Sequence, residues 1–195
     1  MEALSIERLT GIAQNRGIAY EAPEDEVGSG RRIVKTTIAR EFAIPQADAF
    51  NTFSDPQAHV RFFTIIKQST PLIPLEGALK PDEYVVLEHV QEANLPPRMM
   101  VVKYTLRPPD TIIKEAVTDP FGAANVDSDR KRGLVTMRFE RTTATTTRVT
   151  CSSTFETNDG PVFVRGFIDH VWLNFFERLM VETGEIGPAD MLTVA

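Results

Sequence analysis

Lys35-Thr-Thr-Ile-Ala-Arg-Glu-Phe-Ala-Ile44 runs directly into Pro45-Gln-Ala-Asp-Ala-Phe-Asn-Thr-Phe-Ser-Asp-Pro56 and then Gln57-Ala-His-Val-Arg-Phe-Phe63. The opening part reads as a strand from about Ile33 to Ile44. Val34, Thr36, Ile38, Phe42 and Ile44 share one phase, and Lys35, Thr37 and Glu41 the other. Arg40 interrupts the apolar face. Pro45 ends the strand and suits the first turn of a helix, for which Ala47, Ala49, Phe50 and Phe53 supply an apolar stripe. Asp55-Pro56 stops that helix and starts a second one, because the residue before a proline avoids helical geometry.

Towards the C-terminus, Pro161 to Met180 forms the strongest periodic signal. At 100° per residue, Val164, Ile168, Val171, Phe175 and Leu179 fall in one stripe flanked by Phe167 and Trp172. Arg165, Asp169, His170 and Glu177 fall opposite and are expected to face water. Pro161 suits N1, and Gly184 or Gly187 suits the stop.

Between these helical parts the chain alternates in short runs near 65–73, 83–92, 98–107, 111–118, 133–141 and 146–156. Turn-like separators such as Ala93-Asn-Leu-Pro-Pro97 and Arg107-Pro-Pro-Asp110 divide them. Evenly spaced strands with no helical pattern between them predict an antiparallel meander. The fold class expected is α+β, with one sheet gripping one long helix.

Residues 1–30 differ in character and are expected as an N-terminal extension or arm, either loosely docked or serving as a lid or dimer contact. Within them Ser5 can cap a short helix bearing Leu4, Ile6, Leu9 and Ile12. Glu21 to Gly30 reads as a connector. The main domain is expected over 31–187, with a tail at 188–195.

A chain of 195 residues fits one domain and buries a core without staples. The formal charge of −6 speaks against nucleic acid as a partner, and Arg31-Arg32 and Asp129-Arg-Lys-Arg132 read as solvated loop charges. The single Cys151 forms no internal disulfide. No leader or membrane span is legible, so a cytoplasmic location and no integral membrane association are expected. The three histidines lack metal-ligand spacing, and neither a metal nor a cofactor is expected.

Arg40-Glu-Phe-Ala-Ile-Pro-Gln-Ala-Asp-Ala-Phe50 and Ser54-Asp-Pro-Gln-Ala-His59 resemble the START-related, or SRPBCC, helix-grip superfamily, of the polyketide cyclase and lipid-transfer type. Arg61-Phe62-Phe63 stands where many members carry a tryptophan. The order of elements matches from about 33 to 185. The resemblance implies a curved seven-stranded antiparallel sheet wrapped around the long C-terminal helix, two short helices after strand one, and an apolar cavity between sheet and helix. Members bind lipids, sterols, hormones or quinones, cyclise or dehydrate polyketides, or activate a chaperone ATPase. The chain departs from the plant allergen branch, having only Gly77 where a glycine-rich loop is expected. It also lacks the iron–sulfur Cys/His pairs of the ring-hydroxylating oxygenases.

If such a cavity exists, alternation names its walls. Leu87 and His89 are expected from one strand, Met100, Val102 and Tyr104 from the next, and Val135, Met137 and Phe139 from a third. Ile168, Val171, Trp172 and Phe175 are expected from the helix. His89 is the acid–base candidate if Glu88 and Glu92 face water. Tyr84, Tyr104 and Arg40 are candidate polar contacts. Cys151 is expected to be an inert buried thiol.

Three functions are compatible with this reading. The first is binding or transport of a small hydrophobic molecule such as a lipid, polyketide or aromatic metabolite. The second is cyclase- or dehydratase-like acid–base catalysis, and the third a protein-interaction module like the chaperone activators. A homodimer is left open.

Overall fold

A computed structural model describes residues 4–21, 25–28, 31–73, 79–91, 97–118, 132–157 and 161–193. The elements, in chain order, are α1 (Ile6–Asn15), β1 (Ala19–Glu21), β2 (Asp25–Gly28), β3 (Arg31–Phe42), α2 (Gln46–Ser54), α3 (Pro56–Phe62), β4 (Ile66–Leu72), β5 (Glu83–Val90), β6 (Arg98–Arg107), β7 (Thr111–Thr118), β8 (Arg132–Arg141), β9 (Thr147–Thr157) and α4 (Pro161–Glu182). A single 3-10 turn follows at Pro188–Asp190.

All strands belong to one antiparallel sheet in the order β1-β3-β9-β8-β7-β6-β5-β4, with β2 also paired to β3. Strands β4 to β9 form the expected meander. The expected count of seven needs correction, because the N-terminal segment adds an edge. Ala19–Glu21 lies opposite Thr37–Ala39, and Asp25–Gly28 opposite Arg31–Val34. The two short strands share the free side of β3 end to end, so nine strands make a sheet eight positions wide.

Because β3 and β4 lie far apart in the sheet, the α2–α3 elbow carries the chain across it. Pro45 sits at the N-cap of α2 rather than inside its first turn. Asp55 is in extended geometry, and its side chain accepts a hydrogen bond from the Gln57 N–H at 2.9 Å, capping α3 with Pro56 at N1. The break read at Asp55-Pro56 therefore has a satisfied cap on its second side.

Within α4, every residue from Asp169 to Glu177 is buried, whichever side of the helix it occupies. That corrects the expectation that Asp169, His170 and Glu177 face water; Arg165's side chain lies outside the described residues. The sheet covers one flank of α4. The other is covered by α1, which buries Leu9, Ile12 and Ala13 in the common core, and by the chain after α4. Gly17, at φ 61°, turns α1 back into β1. Gly184, at φ 74°, stops α4, with the Glu185 N–H donating to the Met180 carbonyl.

The buried polar side chains of α4 are used to hold these covers. Glu177 accepts from Arg16 Nε at 2.8 Å and from the Leu192 and Thr193 backbone N–H groups, both at 2.9 Å. His170 Nε2 lies 2.8 Å from the Thr193 carbonyl, and Asn174 donates to the Thr193 hydroxyl. Asp169 accepts from the hydroxyls of Thr36 and Tyr20. The N-terminal extension is thus packed on the domain, and the tail is fastened to the same helix.

Candidate functional site

The inner face of the sheet is set by strand alternation and cross-strand register. Tyr84 pairs with Tyr104, Tyr104 with Lys114, Lys114 with Val135, Val135 with Ser153, and Ser153 with Thr36. One row further on come Ile112, Met137, Cys151 and Ile38. The expected wall residues Val102, Tyr104, Met137 and Phe139 are buried on this face, and Met100 and Val135 are half-buried on it. Val171, Trp172 and Phe175 of α4 are buried above it. The side chain of Ile168 lies outside the described residues.

Two expectations on β5 are corrected. Val86, Glu88 and Val90 are the buried phase of this strand, while Leu87 and His89 occupy the opposite phase and are half-buried. The carboxylate expected in water is the inward group, and the imidazole expected inside is not. An acid side chain is tolerated there because three neighbours meet it.

Lys114, two strands away on β7, places Nζ 2.8 Å and 3.1 Å from the two Glu88 oxygens. The Tyr104 hydroxyl lies 2.8 Å from Glu88 Oε1 and 3.1 Å from His59 Nδ1. His59, from α3, has its other ring nitrogen, Nε2, 2.9 Å from the Phe53 carbonyl. A carbonyl only accepts, so Nε2 carries the imidazole hydrogen and Nδ1 offers a lone pair. Tyr84 stacks on Tyr104 at 4.7 Å and donates to the Ser54 carbonyl. Lys114 Nζ also lies 5.5 Å from the ring centroids of Phe63 and Tyr104. Sequence reading missed His59, Glu88 and Lys114 as a group. The inward phase of Tyr84-Val86-Glu88-Val90 was the one available clue.

Electrostatics follow from this packing. Burial opposes ionisation of Glu88, but the Lys114 ammonium and the hydrogen bonds from Lys114 and Tyr104 outweigh it and hold the carboxyl below its usual range. Burial, reinforced by Lys114, lowers His59 to about 4, so the imidazole is neutral near pH 7. Burial and the adjacent Glu88 charge push the Tyr104 phenol well up. Tyr84 is raised by burial and by Asp55 and Glu88. The cluster therefore holds one buried ion pair and a neutral Tyr–His pair.

Trp172 Nε1 donates to Ser153 Oγ at 2.7 Å, joining α4 to β9. Arg40 points elsewhere: it donates to the Arg16 carbonyl at 2.8 Å and pairs with Glu185 at 2.6 Å. Burial raises the Cys151 thiol strongly, leaving it protonated and inert. Among the described residues no group of three His, Cys, Asp or Glu side chains could hold a metal, and no helix is long and apolar enough to cross a membrane. A depression of about 380 Å³ lined by Asn51, Thr52, Asp55, Gln57, Ala58 and Arg61 lies on the α2–α3 elbow. None of the inner-face residues lines it.

No family profile and no curated protein matches this chain. Solved structures do. An aromatase/cyclase, Zhui from Streptomyces sp. R1128, superposes with a TM-score of 0.55 at 15% identity, covering 78% of this chain and 96% of its own. A STAR-related lipid transfer protein from Xanthomonas axonopodis gives 0.59 at 12% identity, over 84% of this chain and 99% of that fragment. A START superfamily protein from Mycobacterium smegmatis gives 0.59 at 12%, over 77% and 97%. At these identities the likeness is one of architecture. The chain has the START/SRPBCC-like helix-grip fold.

Proposed function

We propose that this chain binds a small hydrophobic molecule, of lipid, polyketide or aromatic-metabolite class, between the inner sheet face and α4. The observation that carries the reading is uneven burial among the described residues of the inner face. Met100, Lys114 and Val135 point inward yet are half-buried, while Val102, Tyr104, Ile112 and Met137 beside them are sealed. An apolar wall left incompletely covered, with one polar cluster at its side, is the usual composition of a ligand site. Each methylene moved from water onto that wall contributes about 0.8 kcal/mol.

A second reading, cyclase- or dehydratase-like catalysis, is favoured by one feature. Tyr104, His59 and Glu88 form a connected acid–base chain, which replaces His89 as the candidate for proton transfer.

Mass spectrometry under native and denaturing conditions tests for a co-purifying molecule. Titration with N-phenylnaphthylamine then tests the site directly, with Trp172, the single tryptophan, as a built-in reporter. Saturable probe binding that quenches Trp172 is expected. Absence of any saturable binding overturns the proposal.

A further inference from the structure

The contacts around Tyr104 are one hydrogen short. Two close approaches, Glu88 Oε1 to Tyr104 Oη at 2.8 Å and Tyr104 Oη to His59 Nδ1 at 3.1 Å, each need a hydrogen between the heavy atoms. His59 has committed its hydrogen to the Phe53 carbonyl at 2.9 Å. The ionised Glu88 has none to give. Tyr104 supplies one hydrogen for two contacts.

From this we infer that the site takes hydrophobic acids, an apolar body ending in a carboxylate, and takes up one proton with each. This rests on the ligand site proposed above. The incoming carboxylate replaces Glu88 on the Lys114 ammonium. Glu88 then accepts a proton from solvent, forming one O–H bond. That O–H donates to Tyr104 Oη, the Tyr104 O–H donates to His59 Nδ1, and His59 Nε2–H stays on Phe53. Both contacts are now filled, and the net charge of the buried site is the same before and after.

Lys114 is placed for this exchange. Its side chain retains 16% exposure against 3% for Glu88, and it lies opposite the half-buried Val135 on the inner face. The charged or titratable groups around His59 are Tyr104 of β6, Glu88 of β5, Lys114 of β7 and Asp55 at the α2–α3 junction. α4 faces Phe63, the neighbour of His59 in this cluster, with the apolar rings of Trp172 and Phe175. Burial and Lys114 hold His59 to about 4, so at neutral pH the imidazole does not supply the missing hydrogen itself.

The test is calorimetric titration of decanoate into the full chain in buffers of different ionisation enthalpy, with decanol as the uncharged comparison. Uptake of about one proton per decanoate is expected, with affinity falling about tenfold per pH unit from about pH 7 to about pH 9. In Glu88→Gln the side-chain amide already donates to Tyr104, so proton uptake and the pH slope should both vanish. Should that variant fail to fold, the wild-type proton count decides alone. Decanoate binding with no proton uptake overturns the inference. So does displacement of N-phenylnaphthylamine by decanol but not by decanoate, which leaves the ligand site standing. If none of the three compounds binds, the ligand site itself falls, and the inference with it.

Discussion

Glu88 and His59 both meet the Tyr104 hydroxyl, at 2.8 Å and 3.1 Å, so one phenol lies in reach of a strand carboxylate and a helix imidazole. Removing that hydroxyl takes from Glu88 its one donor besides Lys114 among the described residues. Tyr104→Phe is expected to lower stability by about 1–3 kcal/mol, because the buried Glu88 carboxylate loses a donor. Tyr84→Phe removes only a bond to the Ser54 carbonyl. It should cost about 1 kcal/mol. Urea melts of the two variants compare them, and equal losses would contradict the network.

The Glu88–Lys114 pair is a buried contact whose single and double replacements should diverge. Lys114→Met leaves a carboxylate on a side chain at 3% exposure without its cation. A loss of about 3–5 kcal/mol is expected. Replacing both residues by methionine should restore much of that loss, since no buried charge remains. A double-mutant cycle reads the difference, and additive losses would show the two side chains to be independent.

His59 makes stability depend on mild acid. Its folded-state pKa is about 4 and its unfolded value 6.5, so between these the unfolded chain holds a proton that the native one does not. Stability at this site is complete above about 6.5 and is lost as the pH falls towards about 4, by about 3 kcal/mol in all. Glu88, with its lowered pKa, adds a further loss below the ordinary carboxylate range. His59→Gln should remove the higher-pH part of this slope. Denaturant midpoints measured across the interval check it; parallel curves for wild type and variant would refute it.

Glu177 joins three parts of the chain, and Glu177→Gln should loosen them together. Its carboxylate receives Arg16 and the amides of Leu192 and Thr193. Hydrogen bonds to a charged group contribute about 1.5–3 kcal/mol. Faster hydrogen exchange is expected at Leu192 and Thr193 and in α1, with the sheet unaffected. Unchanged exchange at those amides would mean that the tail is held by Asn174 and His170 alone.

Much of the architecture was legible because strand alternation and proline punctuation are local signals. The runs read near 65–73 and 111–118 became β4 (Ile66–Leu72) and β7 (Thr111–Thr118), and Asp55-Pro56 divided the elbow as expected. What failed was long-range. On β5 both phases are largely apolar, so the charge of Glu88 argued for the outer face; the cation that permits its burial lies 26 residues away. On α4 the polar residues were read as solvated because nothing nearby in sequence shows that α1 and residues 191–193 cover them. His59 looked like one of several histidines until Tyr104, 45 residues on, was placed against it.

The fastening of α1 to α4 has a consequence for how the chain is made. Arg16 and Glu177 are 161 residues apart, and Tyr20 and Asp169 are 149 apart. During synthesis α1 is made before the sheet and waits for its partner α4 until the strands and that helix have been produced. Loops of that length close late, after the meander has assembled from neighbours in sequence. Of the helices described, the one made earliest is thus among the last to find its place.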